Sequence, residues 1–218
     1  MGLRVLQILG KPSSINVRKV LWTCAEIGLP FDLQPYGSGF SPTNTPAFRA
    51  LNPNALVPVI RDPDGDGDFI LWESNTICRY LAGKHGRDDL LPVDARQRAR
   101  VEQWMDWQAT ELNTAWRYAF MALVRQSPAH SDSAATAHSV REWARHMAIL
   151  DTQLHNTGAF VTGAGFTLAD VVLGLSTQRW FATPLDATLR PELPAVAAYY
   201  DRLSQRPGFM QHGRNGHP

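Results

Sequence analysis

The stretch Asn52-Pro53-Asn54-Ala55-Leu56-Val57-Pro58-Val59, followed fifteen residues after Pro58 by Glu73-Ser74-Asn75, decides how this chain folds and what it can bind. A proline inside an otherwise strand-like run cannot donate to a ladder. Such a proline is often cis, and a cis bond usually turns the chain for a purpose. The turn at Pro58 would leave the backbone N–H and C=O of Val57 free to pair with an extended ligand. Glu73-Ser74 then opens a helical pattern, and helix N-termini hold carboxylates and phosphates through their unpaired N–H groups. Together these residues describe a site for a peptide-like anion.

Working outward, the first 85 or so residues alternate strand and helix signals. Leu3–Leu9 is a short apolar run bounded by Gly10 and Pro12, which predicts a strand. Val17, Val20, Leu21, Cys24 and Ile27 repeat at helical spacing until Gly28 and Pro30 stop them. Phe31–Gln34 predicts a second strand, followed by an irregular Gly/Ser/Pro/Thr/Asn segment with one short helix. Val57–Ile60 and Phe69–Leu71 flank a Pro/Gly/Asp turn and predict a hairpin. A helix over Ser74–Lys84 closes a unit of order βαβ, hairpin, helix, spanning residues 1–86.

Gly86–Val93 reads as a linker, and residues 94–218 carry helical signals only. The fold class is therefore α+β. A long helix is expected from Asp94 to about Arg125, with two adjoining apolar stripes. Val101, Met105, Leu112, Trp116 and Leu123 make one; Trp104, Trp107, Ala115, Tyr118 and Ala122 make the other. One packed neighbour needs a single stripe, so the extra width points to a second contact. Further helices are expected over Ala134–Asn156, from Thr167, and over Leu193–Ser204. Thr167-Leu168-Ala169-Asp170 has capping-box spacing and is read as structural. The last helix is expected to end at Arg206-Pro207-Gly208, leaving a polar mobile tail from Gln211.

Composition excludes several functions. Lys+Arg number 21 against Asp+Glu 20, so nothing favours nucleic acid or an anionic membrane in bulk. Arg96, Arg98 and Arg100 are read as a solvated face. No secretory h-region or membrane-length apolar run occurs, and Cys24 and Cys78 sit on apolar helical positions, which fits reduced thiols and a cytoplasmic location. Asp62, Asp64, Asp66, Gly67 and Glu73 match the calcium loop D-x-D-x-D-G-x5-E at every position. The loop needs an entering helix, which Pro53, Pro58 and the β-branched residues deny it. An acidic hairpin turn is expected instead, and no metal site, since the histidines lack ligand spacing.

Pro12-Ser13-Ser14-Ile15-Asn16-Val17-Arg18-Lys19-Val20 joins the first strand to the first helix. Ser13 or Ser14 suits an N-cap. Beside the Pro58 turn and the Glu-Ser helix start, a hydroxyl here would also face the cleft at the positive end of a helix. With Arg18 and Lys19 nearby, that environment stabilises a thiolate.

These motifs, with Phe166-Thr167-Leu168-Ala169-Asp170 and Arg206-Pro207, occur in one order along nearly the whole chain. In that order the sequence resembles the cytosolic glutathione transferases, specifically bacterial ones near the serine-using theta, phi, tau and zeta classes. The resemblance implies a thioredoxin-like glutathione-binding domain, an all-α second domain and a homodimer. It implies that Ser14 donates a hydrogen bond to the glutathione sulfur, with Ser13 as runner-up and Asn16 assisting. The Val57 backbone before Pro58 would pair with the cysteinyl unit, and Glu73 and Ser74 would hold the γ-glutamyl end. A hydrophobic electrophile would sit against the long helix at Asn113 and Trp116, and Asp106 of a partner subunit would reach the γ-glutamyl amine. Glutathione is then a co-substrate and no metal takes part. The alternatives are a glutathione-dependent isomerase or dehalogenase, or a non-catalytic ligand- or partner-binding protein. Two departures stand out: Leu56 replaces the Gln or Lys that many members carry before Val-Pro, and Thr43 and Asn44 replace the His or Lys that some use for the glycine carboxylate.

Overall fold

The computed structural model describes residues 5–64 and 67–218. The chain divides into two compact units, Met1–Leu91 and Pro92–Pro218. Residues 87–91 belong to the first because Arg87 donates to the Glu26 carbonyl and Leu90 and Leu91 are buried.

In the first unit the elements run β1 (Leu6–Gly10), α1 (Ile15–Ile27), β2 (Phe31–Pro35), α2 (Pro46–Leu51), β3 (Val59–Asp64), β4 (Gly67–Trp72) and α3 (Ser74–Lys84). The sheet order is β2-β1-β3-β4. β1 and β2 are parallel, while β3 is antiparallel to both β1 and β4. This is the expected βαβ-hairpin-helix order. Gly28 ends α1 at φ 75, a left-handed conformation that costs glycine little. β3 starts at Val59 rather than Val57 because the Val57–Pro58 peptide is cis and turns the chain there. Leu3 and Arg4, part of the predicted first strand, lie outside the described residues. Ile8, Val59 and Ile60 of the sheet and Val17, Val20, Trp22, Cys24, Ile77 and Leu81 of α1 and α3 are buried. Burial pushes the Cys78 thiol up to about 11 and that of Cys24 higher still. Neither is a thiolate at neutral pH.

The second unit holds α4 (Ala95–Trp107), α5 (Asn113–Leu123), α6 (Ser133–Thr157), α7 (Leu168–Ala182), α8 (Pro194–Leu203) and α9 (Pro207–His212). The predicted long helix is present but is split by a π-helical turn over Gln108–Leu112. Uniform helical spacing cannot foresee that wider turn. It buries Gln108, whose Nε2 donates to Asn113 Oδ1 at 2.9 Å and Ser176 Oγ at 3.0 Å. Val101, Met105, Leu112 and Trp116 are buried as predicted, whereas Leu123 is half-buried. The second stripe is only partly covered: Ala115 is buried, while Trp104, Trp107, Tyr118 and Ala122 are half-buried.

Asp170 holds the start of α7. Its carboxylate accepts from Val161 N at 2.9 Å, Thr167 N at 2.8 Å, Thr167 Oγ1 at 3.1 Å and Tyr199 OH at 3.2 Å. One correction falls at the end of the chain. Arg206-Pro207-Gly208 does not stop the last helix into a mobile tail; Pro207 is the first residue of α9, which buries Phe209 and His212. A proline is well suited to a first helical position, where its missing N–H would be unpaired anyway.

Candidate functional site

Strand register alone brings the predicted binding residues to one end of the sheet. Leu9 pairs with Val59, and Val59 pairs with Trp72. Chain leaving β1 after Gly10 enters Lys11–Ser14, chain entering β3 passes through Val57-Pro58, and chain leaving β4 becomes Glu73-Ser74. Three neighbouring strand ends therefore present these loops side by side. β2 ends beside them, since Gly10 pairs with Pro35 and Tyr36 N donates to the Gly10 carbonyl at 3.3 Å.

Ser14 is the N-cap residue of α1 by position, with extended backbone and a half-buried side chain. Its carbonyl accepts from Arg18 N at 2.9 Å, but its hydroxyl makes no capping bond. The side chain is thus not spent on the helix. No acidic residue stands in the first turn of α1 to compete for the positive end of the dipole. Ser13 and Asn16 are half-buried on either side of it.

The environment predicted from Arg18 and Lys19 needs correction. Both are buried within the unit, Lys19 at 1% exposure, and Lys19 Nζ donates to Asn75 Oδ1 at 3.1 Å. The ammonium thus ties α1 to α3 instead of facing a thiol. Positions 18 and 19 lie a full turn inside α1, where the helix is packed against α3.

The Asn-Pro-Asn motif shapes the corner before Pro58. Buried Asn52 donates from Nδ2 to the Leu56 carbonyl at 2.8 Å, and its Oδ1 accepts from Asn54 N at 3.0 Å. Ala55 takes a positive φ of 54 within this loop. Among the described residues, Val57 makes no backbone hydrogen bond outside the sheet ladder, and Pro58 is buried. Glu73 is exposed at φ 72, a conformation non-glycine residues rarely adopt, and the carbonyl of this strained residue accepts from Ile77 N at 2.8 Å. It caps α3 by position, and Ser74 follows, buried, in the first turn. The spacing gave these residues; the Glu73 backbone and the Asn52 bracket carried no signal that periodicity could detect.

Asp62, from the calcium-loop pattern, is engaged elsewhere. Its Oδ2 accepts from Tyr80 OH at 2.6 Å and Lys84 Nζ at 2.5 Å. Asp66 lies outside the described residues, and among those described no group of His, Cys, Asp or Glu could hold a metal ion. In the helical unit, Asn113 is half-buried and bonded to Gln108. Trp116 lies in an aromatic cluster, 5.5 Å from Phe120 and 6.3 Å from Trp143 between ring centroids, with the Arg179 guanidinium 4.4 Å above it. Its buried indole Nε1 has no hydrogen-bond partner among the described residues. No helix among the described residues is long and apolar enough to cross a membrane.

A mixed four-stranded sheet with a cis-proline corner at the β3 entrance, followed by an all-helical unit, defines a thioredoxin-like fold joined to a helical bundle. The family models for the glutathione S-transferase N-terminal and C-terminal domains match residues 13–84 and 133–202. The chain belongs to the glutathione S-transferase family. It is 37% identical over 207 residues to glutathione S-transferase GstB of Escherichia coli strain K12, covering 95% of this chain and 97% of that protein. Glutathione S-transferase 3 of Zea mays is 30% identical over 210 residues, covering 94% and 92%. Among solved structures, a theta-class glutathione S-transferase from Xanthomonas axonopodis pv. citri with glutathione bound superposes with a TM-score of 0.86 at 35% identity, covering 97% of this chain and 98% of that one.

Proposed function

We propose that this protein is a glutathione transferase, which activates the glutathione thiol as thiolate for attack on hydrophobic electrophiles. The observation that carries the reading is the convergence of Lys11–Ser14, Val57-Pro58 and Glu73-Ser74 at one end of the sheet, two of them opening helices. Each feature meets one part of the tripeptide. The α3 mouth, with Glu73 and Ser74, takes the γ-glutamyl amine and carboxylate. The Val57 backbone pairs with the cysteinyl unit. The Ser14 hydroxyl, with Ser13 and Asn16 beside it, donates toward the sulfur, and the α1 N-terminus favours its negative charge.

In the proposed reaction the thiol proton leaves to solvent, the sulfur lone pair forms a bond to the electrophilic carbon, and the displaced group departs with its electron pair. The protein supplies thiolate stabilisation and proximity rather than a covalent nucleophile of its own. The electrophile meets the helical unit near Asn113 and Trp116, where the unpartnered indole N–H offers a donor. The working form is a cytoplasmic homodimer. Calorimetry with glutathione, followed by conjugation assays over a panel of apolar electrophiles, tests the reading. Glutathione binding with turnover is expected; no binding at any accessible concentration refutes it, and binding without turnover favours a non-catalytic binder.

A further inference from the structure

Glutathione carries a second carboxylate, on its glycine, and the positions where some family members hold it are occupied here by Thr43 and Asn44. We infer that Lys11 is the residue that receives this carboxylate and makes the site selective for a tripeptide with a free glycine end. The inference rests on the glutathione reading above and adds the residue which that reading lacks.

Sheet order gives the direction. Glu73 and Ser74 stand at the end of β4, and Val57 stands at the entrance to β3. A ligand held by its γ-glutamyl end at β4 and by its cysteinyl unit at β3 sends its glycine onward, over the ends of β1 and β2. Neighbouring strands are about 4.8 Å apart, so one further residue of peptide spans that step. Lys11 stands there. Continuing the β1–β3 register, in which Leu9 faces Val59, sets Lys11 level with Val57. Packing around Gly37 agrees: a methyl group placed on that residue would lie 3.7 Å from Lys11 Cδ and 3.9 Å from both Lys11 Cε and Val57 Cγ2. The lysine stem and the Val57 side chain thus flank the same point. Gly37 has φ 106, and its lack of a side chain keeps that approach open.

The ammonium lies at the surface of this corner. Lys11 Nζ donates to the Ser38 carbonyl at 3.3 Å, which holds the side chain along the loop after β2. An ammonium has three donors and is a compact point charge, suited to one end of a carboxylate. Arg49 of α2 is the competing cation, but its Nη1 is turned to the Pro53 carbonyl at 3.4 Å.

Isothermal titration of wild type, Lys11→Met, Lys11→Arg and Arg49→Met, each with glutathione and with its glycine amide, tests the assignment. Wild type should bind glutathione on the order of 10- to 100-fold more tightly than the amide, the worth of one charge-assisted hydrogen bond. Lys11→Met should bind both ligands equally, at the wild-type affinity for the amide, while Lys11→Arg and Arg49→Met keep the discrimination. Discrimination retained in Lys11→Met, or lost in Arg49→Met instead, overturns the inference and leaves the glutathione reading standing. Wild type binding neither ligand removes the reading itself. Near-ultraviolet circular dichroism of Lys11→Met matching wild type separates a lost contact from a lost fold.

Discussion

Replacing Ser14 by alanine should raise the pKa of bound glutathione's thiol while leaving the fold almost untouched, and the structure gives a magnitude to both halves. An N-cap serine normally stabilises its helix, and its loss costs about 1 kcal/mol. Here the hydroxyl makes no bond to the first turn of α1, and the one capping interaction, Arg18 N to the Ser14 carbonyl at 2.9 Å, is made by backbone that alanine keeps. Stability should therefore change by less than about 0.5 kcal/mol. The thiolate, in contrast, loses a hydroxyl donor. A hydrogen bond to a charged group contributes about 1.5–3 kcal/mol, and each pKa unit corresponds to about 1.4 kcal/mol. The bound thiol should rise by about one to two units. The assay is the ultraviolet thiolate absorbance of the enzyme–glutathione complex followed against pH, with urea unfolding of the free variant as control. An unchanged titration in Ser14→Ala refutes the role, most directly if Ser13→Ala shifts it instead. A large loss of stability in Ser14→Ala would mean that the hydroxyl serves the helix after all.

Three further outcomes follow from the packing. Asp170→Ala strips the buried Val161 and Thr167 N–H groups of their acceptor, at about 1–3 kcal/mol for each orphaned donor. The urea midpoint should fall by an equivalent of about 2–6 kcal/mol, and a loss under about 1 kcal/mol would show that water replaces the carboxylate. Desolvation raises the Asp170 carboxyl to about 6 against the four hydrogen bonds that lower it, so the folded state binds this proton more tightly than the unfolded chain does. Its contribution is full below about pH 4 and declines as pH rises through about 6; the stability of wild type relative to Asp170→Asn should fall on the order of 3 kcal/mol across that window, and a flat difference contradicts it. Asn52→Ala frees the Leu56 carbonyl and the Asn54 N–H, so glutathione affinity should drop several-fold and exceed any change in the unfolding of the helical unit. Gly10→Ala would place its Cβ 2.5 Å from Val17 Cγ2, a stiff branched side chain in α1. A destabilisation of about 1–3 kcal/mol is expected, with weaker glutathione binding as α1 shifts; an unperturbed melting temperature would show the helix yields freely.

Local chemistry sufficed for much of this molecule. The Gly28 stop, the hairpin after Pro58, the Thr167–Asp170 box and the buried stripe of Val101, Met105, Leu112 and Trp116 each follow from residues a few positions apart, where propensity and spacing act directly. The candidate site was legible for the same reason: Ser14 and Glu73-Ser74 announce helix starts, and a proline before Val59 announces a corner. Tertiary structure decided what depends on neighbours distant in sequence. The charge of Lys19 pointed to a thiol, yet a helix packed against α1 draws it to Asn75, 56 residues away. The π-turn at Gln108 exists alongside a bond to Ser176 that no helical period encodes, and α9 forms where Phe209 finds a core to enter. The sequence sets the menu of local conformations by sterics and hydrogen bonding along the chain. Which charges are buried, which turns widen and which strand ends meet is settled by packing, because those energies exist only once the distant partners are in place.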